Sequence, residues 1–305
     1  MKRSFCLAAG IWLLAVAPVP AWAADVAEIL QNAARKVKSE HERIQARARA
    51  SVEASLGAQA DCREYASEIE GRRAEYLLAA RLSLDIYKRG AGKPQAGAIT
   101  IDGKKVTVYF DPLSEGYAEA HHDAIENVKF IVFRGTRIDS AKDILTNLQQ
   151  FIHIMPERYR WADELVMRVA AENPASRLFI AGHSLGGGLA MYAAMKHGLE
   201  GVAFNPAGLS EGAVRNLSLS PADWRAGNRK ITVFITRGKK AIDPVSALSL
   251  AGETTLAGRR YLVEEENGSS LMQLHGMKRL VRHLFDATRP IADCATDLGF
   301  QEIDR

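Results

Sequence analysis

LFIAGHSLGGGLA, from Leu178 to Ala190, joins an apolar run to a helix-forming run through Gly182-His183-Ser184-Leu185-Gly186. The pentapeptide fits G-x-S-x-G, and its context is the one in which that pattern carries chemistry: a strand directly before it and a helix directly after. A serine on so sharp a turn has strained backbone angles and close neighbours, so glycine is needed on both sides for the chains to approach. The strand lifts the hydroxyl to the carboxyl edge of a sheet. The helix N-terminus brings the Leu185 amide beside the place where an oxyanion would form. Ser184 is therefore read as a nucleophile, and the bland alternative is a glycine-rich turn with an ordinary serine.

Outward from this turn, strands and helices alternate. Val128 to Phe133, Leu178 to Ala181, Gly201 to Phe204 and Ile231 to Thr236 read as strands. Helical periodicity covers Ser140 to Ile152, Glu157 to Glu172, Leu185 to His197 and Gly276 to Ala287, with Asn173-Pro174 ending the second. Before them, Ala98 to Ile101 and Val106 to Phe110 form a hairpin across Asp102-Gly103. The alternation predicts an α/β class with a mostly parallel central sheet covered on both faces. From Asp25 to Lys88 the chain is rich in Ala, Glu, Arg and Gln, which predicts polar helices lying on a core. The breaker cluster Gly90 to Gly97 follows. The expected organisation is a leader over 1–23, a helical segment over 24–92 and an α/β domain over 93–305.

A hydroxyl is a weak nucleophile at neutral pH, so Ser184 needs a general base and a group to orient that base. In this architecture the chain order is Ser, acid, His. Of the histidines after Ser184, His197 ends the nucleophile's helix, about 18 Å away at 1.5 Å per residue. His283 falls inside the last helix, where a solvated or capping role is usual. His275 precedes that helix and follows the loop-like Glu264 to Ser270, so it is preferred. Asp243 follows the strand Ile231 to Thr236 at its carboxyl end, where open α/β sheets assemble their sites. Asp223, Asp286 and Asp293 remain alternatives, and a plain turn aspartate before Pro244 is the structural reading of Asp243. The Thr136 amide or hydroxyl, after the strand ending in Phe133-Arg134-Gly135, is the second oxyanion donor beside Leu185.

IVFRGT (Ile131 to Thr136), DILTNL (Asp143 to Leu148), AGHSLGGGLA (Ala181 to Ala190) and Asp243-Pro244 together resemble the class 3 lipases, the fungal triacylglycerol lipase group with its bacterial relatives. The resemblance covers about Val128 to His283 and implies the α/β-hydrolase fold, with the N-terminal helical segment added to it. It implies an oxyanion contact from Thr136, a nucleophile at Ser184 and a triad completed by Asp243 and His275. It also implies hydrolysis of carboxylic esters of lipids through an acyl-enzyme, with no cofactor. The chain departs from the family pattern at FNPAGLS (Phe204 to Ser210), where members often carry a Gly-x-Pro-Arg turn, and in its helical N-terminus. A phospholipase is the rival within the enzyme class, and a catalytically silent fold that binds lipid or a partner is the rival outside it.

The first residues read as an export signal. Lys2 and Arg3 are followed by the apolar stretch Phe5 to Ala17 and the small-x-small pattern Ala21-Trp22-Ala23. The stretch is shorter than the roughly 20 residues of a membrane-spanning helix, so the expected location is the periplasm or outside the cell. The formal charge of +4 includes Lys2 and Arg3. The small excess left without them gives no reason to expect nucleic acid as a partner. The expected partners are a lipid or other ester substrate and, transiently, a lipid interface. Beyond the leader the cysteines are Cys62 and Cys294, which an oxidising compartment would allow to pair.

Two weaker features complete the reading. His121-His122-Asp123 could suggest a metal, but adjacent histidines point in different directions and the segment reads as a loop, so no metal is expected. Ile144, Leu145, Leu148, Phe151 and Ile152 form an apolar stripe at helical spacing. Packing on the sheet explains it, as would a lid over an acyl site.

Overall fold

In the computed structural model the described residues are 21–56, 62–89, 95–136, 156–265, 270–291 and 294–301. Most of the leader, the apolar stripe over 144–152 and Asp293 lie outside them. The chain divides into two compact units, Met1–Glu40 and His41–Arg305. The described part of the first is helical, the beginning of α1 (Ala21–Ser55). The second holds the rest of α1 and everything described below. No described helix is long and apolar enough to cross a membrane.

Nine strands among the described residues form one sheet whose spatial order follows the chain. β1 (Gly97–Ile101), β2 (Lys104–Asp111), β3 (Gly116–Asp123) and β4 (Val128–Phe133) pair antiparallel in succession. β4, β5 (Arg177–His183), β6 (Glu200–Phe204), β7 (Ile231–Gly238) and β8 (Arg259–Glu265) pair in parallel, and β9 (Asp297–Gly299) closes the far edge antiparallel. The parallel centre flanked by antiparallel edges, with a strand–serine–helix turn at its carboxyl edge, is an α/β-hydrolase fold. The β1–β2 turn has positive φ at both Asp102 (46°) and Gly103 (75°). That is the handedness two-residue hairpins need to match strand twist.

Strand order equal to chain order has a consequence for the layers. Right-handed crossovers that always step in the same direction fall on the same face of the sheet. That face is built by α4 (Pro156–Glu172), α5 (Leu185–His197), α6 (Glu211–Leu217), α7 (Pro221–Asn228) and α8 (Ser246–Leu250). Its core takes Ile131, Phe133, Ile180, Ala203, Val233, Ile235 and Leu262 from the strands, together with Ile44, Ala48 and Val52 of α1. The alternate residues Phe130, Val132, Phe179, Ala181, Phe204, Phe234 and Val263 point the other way. Elements outside the crossovers must cover them. α2 (Cys62–Gly71) and α3 (Arg73–Asp85) supply Ile69, Tyr76, Ala79 and Ala80. α10 (Met277–Phe285), after the short α9 (Leu271–His275), supplies Met277, Leu280 and Leu284. The polar helices expected to lie on a core thus form one of its layers, with α3 packed on α10.

Cys62 and Cys294 are disulfide-bonded, their Cα atoms 5.3 Å apart, joining the start of α2 to the segment before β9. The buried Arg259 donates to Asp297 at 2.6 Å, and its guanidinium carbon lies 3.9 Å from the ring centroid of Tyr65 and 5.2 Å from that of Phe300.

Two segments differ from expectation. His121-His122-Asp123 is the end of strand β3, not a loop. The strand was illegible because its buried positions are Tyr, Ala and Glu, not a β-branched run. Its periodicity points His121 and His122 to opposite faces, and His121 Nε2 is 2.9 Å from Glu119. Among the described residues no cluster could hold a metal ion. The stretch Glu264 to Ser270 is likewise less loop-like than expected, since Glu264 and Glu265 belong to β8 and Ser270 caps α9 with a reciprocal bond to Gln273.

Candidate active site

Ser184 stands between β5 and α5 with φ 59° and ψ −129°, a left-handed angle that non-glycine residues rarely adopt. Its amide donates to Phe204 O (3.1 Å), and its carbonyl accepts from Gly187 N (2.9 Å) and Ala207 N (3.0 Å). These bonds hold the strained turn to the end of β6. A Cβ on Gly182 would collide with the Gly186 backbone, and one on Gly186 with Phe133 O. Both elbow glycines are thus sterically required.

The expected partners meet at this serine. His275 Nε2 lies 3.0 Å from Ser184 Oγ, and His275 Nδ1 lies 2.7 Å from Asp243 Oδ2. A carboxylate can only accept, so Nδ1 carries the hydrogen and Nε2 is left to accept from the serine hydroxyl. The other carboxylate oxygen of Asp243 accepts at 2.7 Å from the amide of Ser246, the first residue of α8, and the Asp243 amide donates to Thr236 O at 2.8 Å. Asp243 is therefore held on both sides. All three residues are buried, Asp243 completely. His275 is the last residue of α9, not part of a loop, and its backbone is correspondingly fixed. His197 and His283 are elsewhere: His197 pairs with Asp163 at 2.7 Å, and burial lowers the pKa of His283 in α10.

The oxyanion candidates flank the serine. Leu185 is the first residue of α5, where amides lack an intrahelical acceptor. Gly135 approaches so closely that a Cβ there would sit 2.6 Å from His183 O and 3.0 Å from Ser184 Cβ. Thr136 Oγ1 is buried and has no hydrogen-bond partner among the described residues. A cavity of about 550 Å³ opens beside it, lined by Thr136, His183, His275, the apolar Leu84, Met272 and Met277, and cationic side chains of α10.

Two residues of the site, Asn205 and Tyr87, escaped the sequence reading, and a third, His183, has a further role there. Asn205, at φ 43°, directly follows β6 and is fully buried. Its side-chain carbonyl accepts from Thr236 N (2.8 Å), and its amide donates to Leu274 O (2.9 Å). One side chain thereby ties the strand leading to Asp243 to the helix carrying His275. The signal was the FNPAGLS departure, which marked this turn as unusual without saying why. The second is Tyr87, just beyond α3, whose hydroxyl lies 2.9 Å from His183 Nδ1. Burial raises its pKa, which keeps the phenol protonated. The third is His183, expected only as an elbow position. Burial, then the nearby His275, hold its pKa well below 6.5. It is therefore neutral, donating from Nε2 to the His275 carbonyl at 2.7 Å and accepting at Nδ1 from Tyr87.

Residues 79–259 match the family described as phospholipase-like, Tle-like phospholipase domain. The extracellular phospholipase A1 of Serratia liquefaciens is 32% identical over 161 residues, which are 50% of this chain and 48% of that protein. The chain thus spans about half the length of the curated relative it matches. Among solved structures, a mutant form of MDLA from Penicillium cyclopium is 16% identical with a TM-score of 0.45, over 67% of this chain and 83% of that one. The Rhizomucor miehei triacylglyceride lipase is 18% identical with a TM-score of 0.43, over 65% and 80%.

Proposed function

The chain belongs to the Tle-like phospholipase domain family, and from that premise we propose that it is a serine hydrolase of lipid carboxylic esters acting on glycerophospholipid. The observation that carries the proposal is the continuous chain of hydrogen bonds from Asp243 through His275 to Ser184, at a strained turn beside a cavity.

In the proposed reaction, His275 Nε2 takes the hydroxyl proton as Ser184 Oγ attacks the ester carbonyl carbon. Asp243 holds the imidazole in the needed tautomer and stabilises the imidazolium. The carbonyl oxygen gathers negative charge, which the Leu185 amide and Thr136 stabilise. Collapse breaks the ester C–O bond, and the leaving alcohol receives its proton from His275. Water then gives a proton to His275 and attacks the acyl-enzyme, which releases the fatty acid and restores Ser184. The 32% identity to an extracellular phospholipase A1 supports phospholipid over storage fat as the substrate.

The proposal includes export. The basic start, apolar stretch and Ala21-Trp22-Ala23 pattern support it, and N-terminal sequencing of the mature protein should begin at Ala24. The deciding experiment for function is fluorophosphonate labelling followed by assay on phosphatidylcholine. Labelling lost in Ser184→Ala and fatty acid released only by the wild type are expected. A protein that folds, stays unlabelled and releases no fatty acid would be a silent hydrolase fold.

A further inference from the structure

The cavity beside His275 is unevenly charged. Among the described residues its lining includes Lys278, Arg279 and Arg282 of α10 and no carboxylate. Arg279 is paired with Glu265. Lys278 and Arg282 are exposed and have no carboxylate within ion-pair distance among the described residues. They stand four residues apart on α10, so they fall on one side of the helix, about 6 Å apart along its axis at 1.5 Å per residue. Met277, Leu280 and Leu284 occupy the face buried against the sheet. Because only Gly276 separates His275 from the start of α10, these cations border the proposed reaction centre.

We propose that Lys278 and Arg282 bind the phosphodiester of the glycerophospholipid whose acyl ester is presented to Ser184, an assignment that rests on the proposed hydrolase reading. A neutral glyceride entering this cavity would desolvate two cations and return nothing to them, whereas a phosphodiester pairs with both. The two side chains suit that group in different ways: the guanidinium can take two oxygens at once, and the ammonium acts as a mobile point charge. In a glycerophospholipid the phosphate and the outer acyl ester are attached to the two ends of the same three-carbon glycerol unit. A cation pair on the first turns of a helix starting beside the base therefore lies where the phosphate would sit while the ester carbonyl meets Ser184. Leu84, Met272 and Met277 give the same cavity an apolar side for the acyl chain.

The test uses two substrates below their aggregation concentrations, dihexanoylphosphatidylcholine and dihexanoylglycerol, so that surface binding plays no part. Hydrolysis of phosphatidylcholine by the wild type, established first, tests the hydrolase reading by itself. In the Lys278→Ala/Arg282→Ala protein, the ratio of kcat/KM for phosphatidylcholine to that for the glyceride should fall about tenfold or more, as expected for lost hydrogen bonds to a charged group. The fall should come from a raised KM. Lys278→Arg should retain most of the ratio. Inorganic phosphate should compete with phosphatidylcholine in the wild type and compete less well in the double variant. An unchanged ratio overturns the assignment, as does an equal loss on both substrates. Phosphate that alters glyceride hydrolysis without competing with phosphatidylcholine would mark a site for free phosphate and overturn it too.

Discussion

His183 Nε2 lies 2.7 Å from the carbonyl oxygen of His275, so the residue before the proposed nucleophile holds the backbone of the proposed base. The same ring accepts from Tyr87 at 2.9 Å, which extends the link to the chain just beyond α3. Each His275 atom that could shift is anchored: the ring by Asp243, the carbonyl by His183 and Asn205.

Removing this anchor without touching the reacting atoms should slow turnover. Tyr87→Phe deletes one neutral hydrogen bond, worth about 1 kcal/mol, and should lower kcat roughly three- to tenfold with little change in KM. His183→Leu deletes both bonds and should cost more. Steady-state kinetics on a soluble ester, with melting curves alongside, separate this from unfolding. A purely structural role would lower the melting temperature and leave kcat per folded molecule intact.

Ser184→Ala and His275→Ala should each reduce ester hydrolysis by several orders of magnitude, because members of a triad act as a unit. His283→Ala should stay near the wild type, since His283 lies within α10 and not at Ser184. An inactive His283→Ala beside an active His275→Ala would reverse the assignment of the base.

Asn205→Ala should be costly on two counts. The variant leaves Thr236 N and Leu274 O without their partner, at about 1–3 kcal/mol for each buried group, and it places alanine at a left-handed φ. Asn205→Gly removes only the second penalty. Both variants should lose activity, with the melting temperature of the glycine variant above that of the alanine variant. Equal melting temperatures would show that backbone strain at this turn is negligible.

Glu119 predicts an acid limit. It is fully buried on β3, where burial alone would raise its pKa. Hydrogen bonds from His121 and Arg89, together with the Arg89 charge, outweigh that and bring it down to about 2. A carboxylate with a lowered folded-state pKa adds stability above its unfolded value, near 4.5, and loses it as pH falls toward 2. Glu119→Gln should cost about 3 kcal/mol near neutrality, as for a buried pair with one partner removed. The difference in stability between wild type and variant should shrink between pH 4.5 and 2. Urea titrations at several pH values measure it, and a constant difference would contradict the linkage.

The Cys62–Cys294 bridge should matter to stability more than to catalysis, because neither residue lines the cavity. With 232 residues of separation, the chain-entropy model gives on the order of 5 kcal/mol for closing the loop in the unfolded chain. Reduction should lower the melting temperature and leave kcat/KM at 25 °C nearly unchanged. Mass spectrometry of the unreduced protein should find no alkylatable thiol at Cys62 or Cys294, and two free thiols there would refute the pairing.

What the sequence by itself determined is what depends on near neighbours. The strand–serine–helix turn, its obligatory glycines, the Asp102-Gly103 hairpin and the bounds of α5 follow from local sterics and periodicity, which a short window of residues contains. The chain order of the triad narrowed the base and acid to a few candidates. Only the tertiary structure brings Asp243 and His275 together at Ser184, because whether they meet depends on where β7 and α9 end after the layers have stacked. The same holds for β3, whose Glu119 is tolerable in a buried strand only because Arg89, thirty residues earlier, is folded against it. It holds also for α3, which reads as a surface helix until same-side crossovers leave the other face of the sheet uncovered. Tyr87, Asn205 and the cations of α10 owe their places to contacts that join distant parts of the chain. Such contacts leave no local signal, because what fixes them is the packing of whole layers and not the preference of any single segment.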